Sequence, residues 1–314
     1  MLVNNFIYFI ISAAFVVVSG IYLVKSLTKI SHFLRISEFT AAFIIIAVAT
    51  SLPELFVGIS SALQGTPAIS LGNVIGANIL DITIITGIFV LLGRGIKLNI
   101  NRIGNDVYYM LGSVILVFIL FFIGNSLSRI DGAILLGVFF INLIRMIRKR
   151  KQYPATFIDG RIKRWEIVFY VFLFISSLIL LFLSSSFAVK YASLIAIDLS
   201  LPEIMVGLFL VSLATTLPEL VFGIEAVMMG HKGMSIGDQT GTVFTNLTLI
   251  IGVVALIHPI TPDYLSFLVA GVFMFISAFI FTTFVYSGRR LDILEGVGLV
   301  LLYVAFAIIE FFIK

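Results

Sequence analysis

Ala47-Val48-Ala49-Thr50-Ser51-Leu52-Pro53-Glu54 reads as an apolar helix interrupted near its middle, and Ser212-Leu213-Ala214-Thr215-Thr216-Leu217-Pro218-Glu219 repeats it 165 residues later. Each stretch lies within a long apolar run, at about 37–63 and about 201–227. A proline inside a helix removes one backbone hydrogen bond and presses on the carbonyl one turn earlier. The carbonyls around Ala47 and Thr50, and around Ser212 and Thr215, are therefore expected to be open to a ligand. Helical spacing puts Ala47, Thr50 or Ser51, and Glu54 on one face, and Ser212, Thr215 or Thr216, and Glu219 on another.

The same shift aligns Lys25 with Lys190, Gly58 with Gly223 and Gly65 with Gly230. It also aligns Gly72 with Gly237, Gly76 with Gly241 and Gly87 with Gly252. With one residue deleted, Asp131-Gly132 meets Glu295-Gly296. So many unusual positions at one offset mean an internal duplication. The third apolar run carries Gly72-Asn73-Val74-Ile75-Gly76-Ala77-Asn78-Ile79-Leu80-Asp81, and the eighth carries Gly237-Asp238-Gln239-Thr240-Gly241-Thr242-Val243-Phe244-Thr245-Asn246. Paired glycines permit a break or a close backbone approach. Ala77 and Asp81, like Thr242 and Asn246, then share a face one turn apart.

The surrounding chain is apolar throughout. Of its 314 residues 61% are hydrophobic and 11% charged, with mean hydropathy +1.20. Soluble domains carry roughly 25% charged residues, so a water-soluble fold is excluded. Ten apolar runs are expected, at about 6–24, 37–63, 68–92, 106–123, 130–146, 166–186, 201–227, 234–257, 264–286 and 291–312. All are too long and too uniform for β-barrel strands. The first starts near Phe6 without a basic flank or cleavage site and reads as a retained helix.

The expected fold is an all-α membrane protein of ten transmembrane helices. Residues 1–146 form one five-helix repeat, 147–164 a short basic loop and 165–314 the second repeat. An odd number of spans per repeat forces the two to insert in opposite orientations, the arrangement of secondary transporters. Helices 2, 3, 7 and 8 are expected to be discontinuous around a site at the membrane midplane. If the loop holding Arg148, Lys149, Arg150 and Lys151 is cytoplasmic, 17 of the 20 Lys and Arg fall on the inside. Both termini are then external and the membrane is the plasma (inner) membrane. The positive net charge of +4 is mostly this insertion bias, with no call for nucleic acid.

An ionised carboxylate at this depth costs at least ~2.5 kcal/mol. A single such glutamate can be protonated or bonded to a neighbour in a kinked helix. Two at repeat-equivalent positions, Glu54 and Glu219, require a shared cation or protons. With Asp81, Asn246, hydroxyls and freed carbonyls they form an all-oxygen shell. That shell suits a hard cation such as calcium, which takes roughly six to eight oxygens. His32, His231 and His258 lie in expected loops and cysteine is absent, which disfavours zinc and copper.

These motifs resemble the repeats of the calcium/cation antiporter superfamily, and most of all prokaryotic sodium/calcium exchangers. The resemblance implies ten helices, four ion positions in a diamond, and alternating access by sliding of the first and sixth helices. It assigns calcium to Glu54 and Glu219 with the carbonyls of Thr50 and Thr215. It groups Ala47 and Ser51 with position 77 at one peripheral sodium site, and Ser212, Thr216 and Thr242 at the other. Asp81 and Asn246 form the central pair.

The chain departs from that pattern at several positions. Ala49 and Ala214 replace glycines, Ala77 and Thr242 replace serines, and Asp81 and Asn246 exchange the usual asparagine and aspartate. Asp238 stands in place of an asparagine, either as an extra ligand or as the cap of a helix start. Three acidic groups carry −3, which three sodium ions neutralise and one calcium ion reduces to −1.

The implied activity is exchange of calcium for sodium across the membrane, with proton/calcium exchange as the alternative. Its only partners are inorganic cations and the lipid bilayer, with no obligate protein partner. The glutamate that proton-coupled relatives carry in the Gly-Asn element is missing here. A channel lacks its continuous polar pore. An intramembrane aspartyl protease lacks its Gly-x-Gly-Asp pattern. Without a nucleotide-binding glycine-rich loop, ATP-driven pumping is also set aside, so the protein is no enzyme and needs no cofactor.

Overall fold

The computed structural model describes residues 2–33, 47–98, 100–149, 164–228, 230, 232–288 and 290–312. Nearly all of them are helical, as a chain must be when only its own backbone can satisfy its N–H and C=O groups in lipid. In chain order the helices are α1 (Leu2–Phe33), α2 (Ala47–Thr50), α3 (Leu52–Leu63), α4 (Pro67–Leu92), α5 (Ile100–Gly124) and α6 (Arg129–Lys149). They continue as α7 (Arg164–Asp198), α8 (Glu203–Thr215), α9 (Leu217–Met228), α10 (Lys232–Thr245, running on to Ile257), α11 (Tyr264–Gly288) and α12 (Ile293–Phe312).

Among the described residues seven helices are long and apolar enough to cross a membrane. The bent pair α8 and α9, meeting at 41°, supplies an eighth. Of the two other expected spans, 130–146 is the helix α6, and 37–63 lies partly outside the described residues, with α3 as its second half. The basic loop 147–164 also lies largely outside them.

Burial ranks the helices by depth. α4 is 83% buried and the span Ser235–Ile257 of α10 is 72% buried, against 17% for the span Trp165–Asp198 of α7 and 22% for the span of α12. The glycine-bearing helices are therefore the centre of the bundle. The long helices α1 and α7 pack side by side along its flank, where Tyr8 stacks on Tyr191 with ring centroids 5.0 Å apart.

The duplication is visible in the element boundaries. α3 and α9 share the 165-residue offset, as do Pro67–Leu80 and Lys232–Thr245, and the π-helical turns Asp81–Ile85 and Asn246–Ile250. Contacts also occur in exchanged pairs. Ile96 pairs with Leu291 in the short antiparallel ladder of β1 (Ile96–Lys97) and β2 (Arg290–Leu291), while Leu127 pairs with Ile260. Gly58 faces Val254 as Gly223 faces Phe89, residues displaced by the same shift. Each contact thus has a counterpart with the repeats interchanged, as a two-fold relation requires.

One expectation is corrected here. α4 and α10 are not broken at their paired glycines; each runs on through a π-helical turn. The glycines serve close approach instead: a Cβ at Gly72 would overlap the Ile204 carbonyl, and one at Gly76 the Leu208 carbonyl. The π-helical turns begin five residues after Gly76 and Gly241, and in them Thr83 and Thr248 turn their hydroxyls back onto the carbonyls of Ile79 and Phe244.

Candidate ion-binding site

Two interrupted helices supply the glutamates. α2 ends at Thr50 and α3 begins at Leu52, leaving Ser51 at the junction with φ −74° and ψ 0°. Thr216 occupies the same place between α8 and α9, at φ −81° and ψ −5°. Pro53 and Pro218 then fall in the first turn of the restarted helix, where a missing N–H leaves no bond unmade. The side chains of the following residues, Glu54 and Glu219, are fully buried; the Thr215 hydroxyl lies near Glu54, but none of the four carboxylate oxygens meets a donor in hydrogen-bond geometry.

The carbonyls are less open than the prolines alone imply. That of Ser212 accepts from the Thr216 N–H at 3.0 Å, the Thr216 hydroxyl at 2.9 Å and the Thr215 hydroxyl at 3.3 Å. This corrects the expectation that it is open to a ligand: the hydroxyls beside the break fill the position that the helix vacates. The Ser212 hydroxyl itself turns back to the Leu208 carbonyl. Ser51 and Thr216 give their carbonyls to the N–H groups of Leu55 and Leu220.

The central helices bring the remaining expected residues into the same interior. Asp81, Asn246, Ala77, Thr242, Thr50 and Thr215 are fully buried, and Ser51 and Thr216 nearly so. The Asn246 amide donates to Asn78 Oδ1 at 3.0 Å, tying the two repeats together. Asp81 lies within electrostatic reach of Glu54 and Asp238, and Glu219 within reach of Glu54, Asp81 and Asp238. Ala47 is placed as the first residue of α2. Glu225 is exposed, away from this interior.

The peripheral groupings are exchanged relative to expectation. Thr242 reaches α2 of the opposite repeat, its hydroxyl oxygen 3.4 Å from that of Thr50. On the other side, a Cβ at Gly76, next to Ala77, would stand 2.8 Å from the Ser212 hydroxyl. Thr242 therefore belongs with Thr50, and the helix that carries Ala77 packs on the one that carries Ser212. The cause is the crossed packing of α4 on α8 and of α10 on α2. Each interrupted helix meets the central helix of the other repeat.

Three residues outside the expected set, Asn73, Asn78 and Gln239, also enter the site, together with Asp238. Asn73 accepts the Thr215 hydroxyl at 3.0 Å, and Asn78 holds Asn246. With its amide nitrogen turned towards Asp81, Gln239 donates to that residue's carbonyl and carboxylate at 3.2 and 3.1 Å. Asp238 is 2% exposed and lies in the middle of Lys232–Thr245, so it caps no helix start. The Gly-Asn and Gly-Asp spelling of the repeat was the available signal for two of these.

Among the described residues no three His, Cys, Asp or Glu side chains converge as a metal centre of their own. The acidic groups alternate along their helices with hydroxyls and amides. An ion held here must complete its shell with neutral oxygens.

Comparison with known proteins follows the same lines. The model of the family described as sodium/calcium exchanger protein matches residues 4–148 and 169–312, one segment per repeat. The sodium/calcium exchanger MaX1 of Methanosarcina acetivorans is 26% identical over 100% of both chains. The putative antiporter CaxA of Alkalimonas amylolytica is 27% identical over 74% of each. The inner membrane protein YrbG of Escherichia coli is 26% identical over 71% of this chain and 70% of its own. A structure of the sodium-calcium exchanger NCX_Mj soaked with 10 mM Na+ has the same fold, with TM-score 0.67 and 23% identity over 97% of this chain and 98% of that one. With both repeats matched, the chain belongs to the sodium/calcium exchanger family.

Proposed function

We propose that this protein is a secondary antiporter that moves calcium out of the cytosol in exchange for sodium. The observation that carries the reading is the pair Glu54 and Glu219, fully buried at repeat-equivalent positions with no donor to any carboxylate oxygen. Two such charges are tolerable only when metal cations or protons compensate them.

In this reading ten spans form two inverted five-helix repeats, 1–146 and 165–314, joined by the basic loop 147–164. Both termini face outward, and the protein resides in the plasma (inner) membrane. Calcium binds between Glu54 and Glu219 with the carbonyls of Thr50 and Thr215. Sodium takes two peripheral positions, one with Ala47, Ser51 and Thr242, the other with Ser212, Thr216 and Ala77. Asp81 and Asn246 close the centre. A loaded, charge-compensated site lets α1 and α7 slide across the bundle, while an uncompensated one holds them, so the two ions must alternate. The names of MaX1 and NCX_Mj support sodium as the counter-ion.

One observation favours a second reading, proton/calcium exchange: Ala77 brings no hydroxyl to its peripheral position. Calcium flux in reconstituted vesicles, driven separately by a sodium gradient and by a pH gradient, decides between them. The proposal requires flux under the sodium gradient alone. Flux under the pH gradient alone assigns the protein to proton coupling.

A further inference from the structure

Two trios of residues related by the 165-residue shift have opposite chemistry. Asn73, Ala77 and Thr215 form the first. It is neutral: the Thr215 hydroxyl donates to Asn73 Oδ1 at 3.0 Å, the buried Asn73 amide nitrogen has no acceptor, and Ala77 has no polar atom. Asp238, Thr242 and Thr50 form the second. Its carboxylate is 2% exposed and neither oxygen has a donor, while the hydroxyl oxygens of Thr242 and Thr50 stand 3.4 Å apart. Thr242 follows Asp238 by one helical turn and shares its face. Among the described residues the ion pairs are Arg145–Asp106 and Arg290–Asp292, so no basic side chain neutralises Asp238.

We propose that Asp238 is a ligand of a monovalent cation, holding a sodium ion together with the hydroxyls of Thr242 and Thr50. The inference rests on the antiporter reading and adds a residue to its sodium side. A buried charge is retained only when it is paired. One carboxylate with two hydroxyls offers a single negative charge and few oxygens, which matches sodium. Calcium, with its demand for roughly six to eight oxygens, is poorly served by this trio. The first trio has no negative charge, spends its one hydroxyl proton on Asn73 Oδ1 and adds an unpaired amide donor, so it has no equivalent capacity. Sodium affinity is therefore asymmetric between the two repeats, concentrated where Asp238 replaces the amide.

The test is thermal unfolding of the purified full-length protein in detergent, titrated separately with sodium chloride and calcium chloride at constant ionic strength. Asp238→Asn should raise the sodium concentration giving half-maximal protection by about tenfold and leave that for calcium within about twofold. Asp238→Glu should retain sodium protection. The proposal is overturned if Asp238→Asn leaves the sodium midpoint unchanged. It is equally overturned if calcium shifts as much as sodium, because a general field acts twice as strongly on a divalent ion. Should Asp238→Asn fail to fold, Asp238→Ser removes the same charge and carries the same two outcomes. Wild-type vesicles without sodium-driven calcium flux, alongside sodium protection that Asp238→Asn abolishes, would sink the antiporter reading and leave this site standing.

Discussion

Gly20 of α1 lies against Pro218 so closely that a Cβ on the glycine would fall 2.9 Å from the proline Cγ, and 3.2 Å from that of Pro53. One residue of the flanking helix thus rests on both prolines that interrupt the glutamate-bearing helices. Helix α1 crosses the bundle at the point where the two repeats meet, and a hydrogen atom is all that fits between them.

If α1 slides over these rings during transport, Gly20→Ala adds a methyl group against two rigid side chains at each crossing. The maximal exchange rate should fall by about tenfold, the effect of ~1.4 kcal/mol on a barrier. The sodium and calcium concentrations for half-maximal rate should stay put, since no ligand changes. Initial-rate flux over a range of both ions checks this; an unaltered maximal rate would show that α1 does not move across the prolines.

Stability should distinguish glycines that face backbone from those that face side chains. A Cβ at Gly72 runs into the Ile204 carbonyl, whereas one at Gly58 meets the Val254 methyl at 2.8 Å and the Ser70 hydroxyl at 3.0 Å. Side chains can turn aside and a packed backbone cannot. Gly72→Ala should cost the upper part of the ~1–3 kcal/mol range for overpacking, and Gly58→Ala the lower part. Melting temperatures of the two variants in detergent measure the difference, with Gly72→Ala expected to melt lower.

Ala77 offers a gain rather than a loss. The helix that carries Ala77 packs on the one that carries Ser212, and a serine at 77 would add a hydroxyl oxygen to the peripheral position proposed there. Ala77→Ser should lower the sodium concentration for half-maximal exchange by about fivefold, the worth of one neutral contact of ~1 kcal/mol. Sodium-dependence curves of calcium flux give the answer directly. An unchanged or raised midpoint would mean that no sodium ion visits position 77.

Much of this architecture is legible in the sequence. Pro53 and Pro218 located the helix interruptions to within two residues, because a proline cannot sit inside a helix without its cost being visible in the spelling. The spacing of Glu54 and Glu219 announced the duplication that the paired contacts of Ile96, Leu127, Ile260 and Leu291 repeat.

What could not be read is partnership across repeats. Spacing along one segment reveals which residues share a helix face, and nothing of which helix that face will meet, so Thr242 was grouped with Ser212 when it packs beside Thr50. Spacing also leaves Asp238 open between an extra ligand and a helix cap. A Gly-Asp pair resembles a helix start, and only the fold extends that helix back to Lys232 and buries the carboxylate. Continuity of α4 and α10 escaped notice too, since a glycine that breaks a helix and one that admits a neighbour's carbonyl are spelled alike.

The central claim is that Glu54 and Glu219 bind the transported ions as a pair. Sodium-gradient-driven uptake of radioactive calcium into proteoliposomes tests it most directly, with wild type, Glu54→Gln and Glu219→Gln reconstituted at equal density. Glutamine keeps the shape and removes the charge. The account predicts robust uptake by the wild type and loss of it, by at least about a hundredfold, in each variant, as expected when one charged ligand worth ~3 kcal/mol is removed. Full uptake by either variant, folded and correctly inserted, would contradict it.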